Sequence, residues 1–353
     1  MNRKKVLITG GVGFIGTHLV HYLLEKGDNE ITVFDRLENQ FTNKIKHVKY
    51  VVGDITSPDD VARVFSLCGP FAVVYHLASA MPDKAFSDKD LWKINVFGTA
   101  NMVAESVKNG VKSFIFTSSN VAYGIPPKLP VTEETPLTPL EIYGKSKAQA
   151  EQELLSYRGK INIQIFRCPV VSGIGRLGLQ AILFEFISEN KNVYVLGDGS
   201  NKYQFVDADD VCVALEKATK QEGFDTYNIG ADNVLSLKEI YEGVIKEAKS
   251  ASHVTSLPKV PALFVLSLLD KLKISPLGVY QYTMIGRSLY MDTTKIKKKL
   301  AWKPKKTNLD TFLENYNWYI ENKHSLTRID SGKMSSNRSL PKMGIFSLLK
   351  MLS

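Results

Sequence analysis

Along the first half of the chain, short runs of apolar residues alternate with stretches in which apolar positions recur every three to four residues. The runs KVLIT (5–9), EITVFD (30–35), HVKYVVG (47–53), FAVVYHLA (71–78), SFIFTSS (113–119) and INIQIFR (161–167) are too short for helices and rich in β-branched and aromatic residues, so they predict strands. Between them, THLVHYLLEKG (17–27) and GTANMVAESVKNG (98–110) carry a helical period, the first ending on a glycine suited to a left-handed cap. Strands alternating with helices imply right-handed βαβ units and a parallel, doubly wound sheet. Near-continuous apolar strands agree, because a parallel sheet is covered on both faces.

The rhythm loosens after residue 172. GIGRLG is followed by a helical run, QAILFEFISEN, a turn-rich GDGSNKY and a further strand, TYNIG (226–230), that returns to the sheet. The expected organisation is therefore a dinucleotide-binding-type domain over 1–172, with segments near 200–230 rejoining it. A smaller, mostly helical substrate region follows over 173–323, and 324–353 reads as a flexible basic tail. The apolar run VPALFVLSLLDKL (260–272) falls short of the roughly 20 residues a spanning helix needs, and reads as a core or cleft-lining helix rather than a membrane contact. The terminal MGIFSLLKMLS is a short amphipathic patch suited to weak contact with a membrane surface or a partner.

Composition narrows the class. With 353 residues, 44% hydrophobic and 23% charged, the chain has the make-up of a globular enzyme. Its three widely spaced cysteines (Cys68, Cys168, Cys212) form neither a disulfide framework nor a metal-ligand pattern, which fits a reducing, cytoplasmic setting. The basic start MNRKK precedes too short an apolar run for a signal peptide, and that run breaks on glycines. The net charge of +9 is uneven: seven of the twelve residues 295–306 are lysines. With no nucleic-acid-binding motif beside them, they read as a solvated basic face.

Two stretches carry candidate chemistry. In VLITGGVGFIGTHLV (6–20), Gly10, Gly13 and Gly16 lie between the first strand and the first helix. There a tight turn, a close backbone approach and the N–H groups of Phe14, Ile15 and Gly16 at a helix N-terminus would cradle a pyrophosphate. Asp35 ends the second strand, nineteen residues beyond Gly16, where a carboxylate accepts from a ribose 2′-hydroxyl and repels a 2′-phosphate. NAD is therefore expected over NADP, with Arg36 as a feature that softens the preference. In EIYGKSKAQAEQELL (141–155), Tyr143 and Lys147 stand four apart on one helix face, an arrangement in which an ammonium can lower a phenol toward neutrality for acid–base work. Ser119, at the end of the strand before, can share a hydrogen bond with that phenol and a substrate oxygen.

Together with GDI (53–55), HLAS (76–79), NVFGT (95–99), TSSNVAYG (117–124), GDGSNKYQFVDADDV (197–211) and DTTKIKKKLAWKPK (292–305), these stretches resemble the extended short-chain dehydrogenase/reductases. The NAD-dependent epimerase/dehydratase group is the nearest match, and the resemblance runs over roughly residues 5–320. It implies a Rossmann-type fold, NAD as cofactor and a homodimer formed through two helices per subunit, one of them carrying Tyr143. Ser119, Tyr143 and Lys147 match the catalytic set. Asp54 and Ile55 match adenine contacts, Ala78 and Ser79 the nicotinamide side, and Asn95 a supporting position. His76 and Asn95 remain open between site support and satisfied core polar groups.

The departures are informative. Family dehydratases follow the strand-end hydroxyl with Asp-Glu, where this chain has Asn120 and Val121; Val121 transfers no proton, so dehydration is disfavoured. UDP-galactose 4-epimerases carry diphosphate contacts where Val170 and Tyr203 stand here, leaving Arg176, Lys202 or Arg287 to meet a diphosphate. The R-x-P-x-V-x-G string (Arg167, Pro169, Val171, Gly173) also resembles the hydroxysteroid-dehydrogenase and dihydroflavonol-reductase branches, which act on apolar alcohols. The expected activity is epimerisation of a nucleotide sugar in surface-polysaccharide synthesis. A sugar 4-ketoreductase, a hydroxysteroid-type dehydrogenase and an NAD-sensing module without turnover are the alternatives. No metal and no nucleic acid are expected.

Overall fold

The computed structural model describes residues 3–36, 45–82, 86–271, 283–284, 286–329 and 339–341. Seven strands form one sheet: β1 (Lys4–Thr9), β2 (Asn29–Asp35), β3 (Val48–Val52), β4 (Val73–His76), β5 (Ser113–Ser119), β6 (Asn162–Cys168) and, far along the chain, β10 (Phe224–Asn228). Their order is β10-β6-β5-β4-β1-β2-β3, and every pairing is parallel. The order reverses between β1 and β4, which opens a crevice beyond their carboxyl ends, the place where doubly wound sheets hold ligands.

The fully buried strands explain the unbroken apolar runs. Val6, Ile8, Val33 and Tyr75 point to one face, packed against Leu19 and Val20 of α1 (Phe14–Lys26), Val211 and Leu215 of α7 (Ala208–Ala218), and Trp302. Leu7, Phe34, Val74 and Phe114 point to the other. That face is covered by α2 (Pro58–Cys68), α4 (Gly98–Lys108) and α5 (Ile142–Leu155). Successive side chains on a strand face opposite ways and residues two apart share a face, so one sequence run supplies both cores. Helix α1 ends on Gly27 at φ 76°, the left-handed cap that Gly27 predicted.

A second core lies outside the sheet. It joins α6 (Gln180–Ser188), α8 (Leu237–Glu247) and α11 (Asn308–Asn322) through Phe184, Phe186, Ile240, Phe312 and Tyr316. Two short parallel pairs lie beside it: β7 (Val170–Ser172) with β9 (Phe205–Asp207), and β8 (Val193–Leu196) with β11 (Val254–Leu257). The segment near 200–230 thus returns in two steps, β9 to β7 and β10 to the main sheet. The run at 260–272 forms α9 (Lys259–Lys271), but not as a core element: none of its residues 259–268 is buried. Of the expected tail, only 324–329 and 339–341 are described, including a parallel pair Thr327–Ile329 with Ser339–Pro341; MGIFSLLKMLS lies outside the described residues. The basic run forms α10 (Thr294–Leu300) and the segment after it.

Candidate active site

The crevice collects loops from five strand ends. After β1, Gly10 turns at φ 68°, and Gly16 has no room for a side chain, since a Cβ there would lie 2.2 Å from the Gly10 carbonyl oxygen. No side chain caps the first turn of α1, so its N–H groups and positive dipole end are left for an anion. Asp35 ends β2, and the Val12 amide donates to its Oδ2 at 3.4 Å, which places the carboxylate at the lip of the glycine turn. Arg36 stacks on the Phe86 ring at 4.7 Å.

Behind the crevice, Asp54 Oδ1 accepts from the Thr56 amide at 2.7 Å, and the Ile55 side chain is buried under Gly98. Ile55 therefore serves the core with its side chain. Past β4, the loop through Ala78 and Ser79 is held by Asn95. The Asn95 Oδ1 accepts from the Ser79 hydroxyl and the Ala80 amide at 3.0 and 2.8 Å, while its Nδ2 donates to Ala80 O and to Ser146 Oγ at 3.0 and 2.9 Å. Ser146 Oγ in turn donates to the Tyr143 carbonyl at 2.8 Å. Asn95 lies in a π-helical turn, Lys93–Phe97, a local distortion of the kind that concentrates at functional sites. It clamps the loop after β4 to the helix bearing Tyr143. His76, by contrast, is a satisfied core group. Its ring nitrogens meet Thr9 Oγ1 at 2.7 Å and Thr99 Oγ1 at 3.0 Å, and burial pushes it down to about 3, so it is neutral.

Ser119, Tyr143 and Lys147 converge. Ser119 ends β5 and starts the 3₁₀ turn Asn120–Tyr123; its hydroxyl accepts from the Val121 amide at 3.4 Å and lies close enough to the Tyr143 phenol to pull it down. Glu141 caps α5 by accepting from the Tyr143 and Gly144 amides at 2.7 and 2.8 Å, which fixes the helix start under the phenol. The Lys147 ammonium donates to the Thr117 carbonyl at 2.9 Å and lies 4.9 Å over the Phe116 ring and 5.9 Å from the Tyr143 ring centre.

One electrostatic expectation is reversed. The phenol is pushed up to about 12, because losing water costs its anion more than any neighbour returns. Ser119 and the Arg176 guanidinium are the groups that pull it down. Lys147 is itself driven down to about 8 by burial, and its ammonium is aimed at a carbonyl rather than at the phenol. In this state the pair is preorganised in place but not in charge. Cys168, at the end of β6 beside them, is pushed up to about 12 by burial and is inert as a thiolate.

Beneath the site runs a network that the motifs alone did not reveal. Glu151, one turn beyond Lys147, makes a buried bidentate pair with Arg167 of β6, with Arg167 Nη2 to Glu151 Oε2 at 2.7 Å. Ser118 Oγ donates to Glu151 at 2.5 Å, and Arg167 Nη1 to the Tyr123 hydroxyl at 2.8 Å. The available signal was periodicity: Tyr143, Lys147 and Glu151 recur every four residues on one face of α5.

Of the three candidate cations, Arg176 is close enough to Tyr143 to influence its phenol. Arg287 lines a pocket of about 410 Å³ together with Ile125, Pro126, Asn201, Lys259 and Met284, and Ile125 stands two residues beyond the turn Asn120–Tyr123. Lys202 is exposed, and its amide is held by Ser288. A separate polar pocket of about 510 Å³ sits at the basic run and shares no residue with this one. There Asp232 pairs with Lys297, and Asp207 and Glu314 with Lys306, so the run is partly neutralised from within. Among the described residues, no cluster could hold a metal ion and no helix is long and apolar enough to cross a membrane.

Residues 6–230 match the model of the NAD dependent epimerase/dehydratase family. The chain belongs to this family. It is therefore an NAD-dependent enzyme of the epimerase/dehydratase type, with the extended short-chain dehydrogenase/reductase fold. It is 36% identical over 350 residues to the uncharacterized protein y4nG of Sinorhizobium fredii, covering 98% of this chain and 85% of that one. It is 29% identical to a UDP-glucose 4-epimerase of Lactobacillus helveticus, covering 89% and 97%. The solved UDP-glucose 4-epimerase of Thermotoga maritima with UDP-glucose superposes with a TM-score of 0.74 at 25% identity, covering 90% of this epimerase/dehydratase and 99% of that chain.

Proposed function

We propose that the protein is an epimerase that inverts a secondary alcohol of a nucleotide sugar through a transient ketone. The convergence of Ser119, Tyr143 and Lys147, with Asn120 and Val121 in place of an acidic pair, carries this reading. Gly10, Gly13 and the amides of Phe14, Ile15 and Gly16 would hold the NAD pyrophosphate, and Asp35 the adenosine ribose. Asp54 and Ile55 would flank the adenine, Ala78 and Ser79 the nicotinamide, with Asn95 fixing their loop. When bound, NAD supplies a reversible hydride acceptor at the carbinol carbon. Ser119 would hold the reacting oxygen while Tyr143 takes its proton and later returns it. Lys147, with two N–H groups free of protein acceptors among the described residues, would bond the cofactor ribose beside the phenol.

The relatives named UDP-glucose 4-epimerase support a nucleotide-sugar substrate, and Arg287 and Arg176 are the cations that would meet its diphosphate. A second reading, net oxidation or reduction of an apolar alcohol, is favoured by one observation. Val170 is exposed at the start of β7 and Tyr203 is packed against Phe205, so neither position offers a cation to a diphosphate. Incubation with NAD and a panel of nucleotide sugars and hydroxysteroids separates the readings. A stereoisomer formed without accumulation of NADH is expected. NADH formed in step with a ketone product would overturn the epimerase reading in favour of the second.

A further inference from the structure

Helix α9 is apolar on every side: from 260 to 268 only Ser267 is polar. A helix of that composition in a globular protein normally lies within a core. Here Ala262, Leu263, Leu266 and Ser267, half-buried, face the body, while Val260, Pro261, Phe264, Val265 and Leu268 face outward and are exposed. Val260 and Phe264 keep 78% and 71% of their surface open. The outward arc therefore contains no polar residue, against the ordinary tendency of a solvated helix face.

We infer that α9 is a docking helix for an anionic lipid surface. Two observations choose this occupant over another protein. The first is charge: Lys259 opens the helix, and Lys271 and Lys273 follow its apolar stretch, with Asp270 as the one acid in 259–273, in a chain of net charge +9. An apolar stripe bracketed by lysines matches acyl chains beneath phosphate headgroups, where insertion and charge act together. The second is size, since among the described residues the outward face holds five, far below the roughly 20–30 residues a side of a stable protein interface. The helix is also too short to span, so it lies in the surface rather than across it. Its placement has a consequence for the cleft. The Lys259 ammonium donates to the Gly286 carbonyl at 2.6 Å and lines the same pocket as Arg287, so the docked surface lies at that pocket's mouth.

Flotation of the full-length protein with vesicles tests this. Wild type is expected to float with vesicles of phosphatidylcholine mixed with phosphatidylglycerol, and less with phosphatidylcholine alone. The Val260→Asp/Phe264→Asp variant should lose about tenfold in lipid partitioning. Both sites are exposed, so its thermal melt and NAD affinity should match wild type. In parallel, Phe264→Trp should shift its emission to the blue when anionic vesicles are added. The inference is overturned if wild type stays in the soluble fraction, or if the double variant floats as well as wild type, which would place the contact elsewhere. It is equally overturned if the double variant dissociates a dimer in the absence of lipid, which would make α9 a protein interface.

Discussion

Tyr143 and Lys147 lie near one another in a space that favours the neutral form of both. Without charge compensation the phenol sits at about 12 and the ammonium at about 8, each moved by burial away from the state catalysis asks of it. Lys147 is therefore a stability cost, one that the proposed function would account for. Its folded value lies below the ordinary 10.5, so between those two values the unfolded chain binds more protons and stability rises with pH. At neutral pH the penalty is about 3 kcal/mol. Lys147→Met removes it but leaves the Thr117 carbonyl without its donor, which returns about 1–3 kcal/mol. The expected outcome is a variant about 1 kcal/mol more stable by denaturant unfolding at pH 7, lacking the wild-type gain from pH 8 to 10, and inactive. Loss of stability would show that Lys147 is not strained by burial. Tyr143→Phe should abolish turnover and leave NAD affinity within about twofold, since the ring and its packing remain. Isothermal titration and a turnover assay on one preparation decide it, and retained activity would remove Tyr143 from the mechanism.

At the scale of elements, α5 is the part whose placement the chemistry depends on, and Glu151–Arg167 is what seats it. That pair, with Ser118 and Tyr123, ties α5 to β5, to β6 and to the turn after Ser119. Arg167→Met would leave a buried, unpaired carboxylate and should cost about 3–5 kcal/mol. Glu151→Leu with Arg167→Met removes both charges and should recover most of the stability, as urea midpoints would show. If the two single costs simply add in the double variant, the pair is not coupled as the geometry requires. Much of this scale was legible beforehand. Strand 113–119 was placed to the residue, and the helix at 141–155 to within one, because apolar runs with clear turn chemistry leave little freedom. The Glu151–Arg167 pairing was not legible, since it joins two elements and each residue alone reads as an ordinary charged position. The setting of α9 was not legible for a different reason: an apolar run fixes neither which side it shows to the body nor what covers the other.

For the whole molecule, the sheet order sets where a cofactor can lie, and under the proposed function Asp35 would select which one. The crevice between β1 and β4 brings the glycine turn, the bare N-terminus of α1 and the Asp35 carboxylate to one edge. The first two are indifferent to a phosphate on the adenosine ribose. Asp35 is not, because a second anion against a carboxylate is repelled. Arg36, whose charge would offset this, is engaged with the Phe86 ring. Ligand that binds only the folded chain raises its stability by about 2.7 kcal/mol at a hundredfold excess over Kd. NAD at such a concentration should therefore raise Tm measurably, while NADP at the same concentration should give a shift smaller by about 1.4 kcal/mol or more, a tenfold difference in affinity. Asp35→Asn keeps the side-chain size and an acceptor for the Val12 amide but removes the repulsion, so it should narrow that gap mainly by raising the NADP shift. Thermal melts of both proteins with each cofactor measure it directly. Equal shifts for NAD and NADP in the wild type would show that discrimination does not reside at the end of β2.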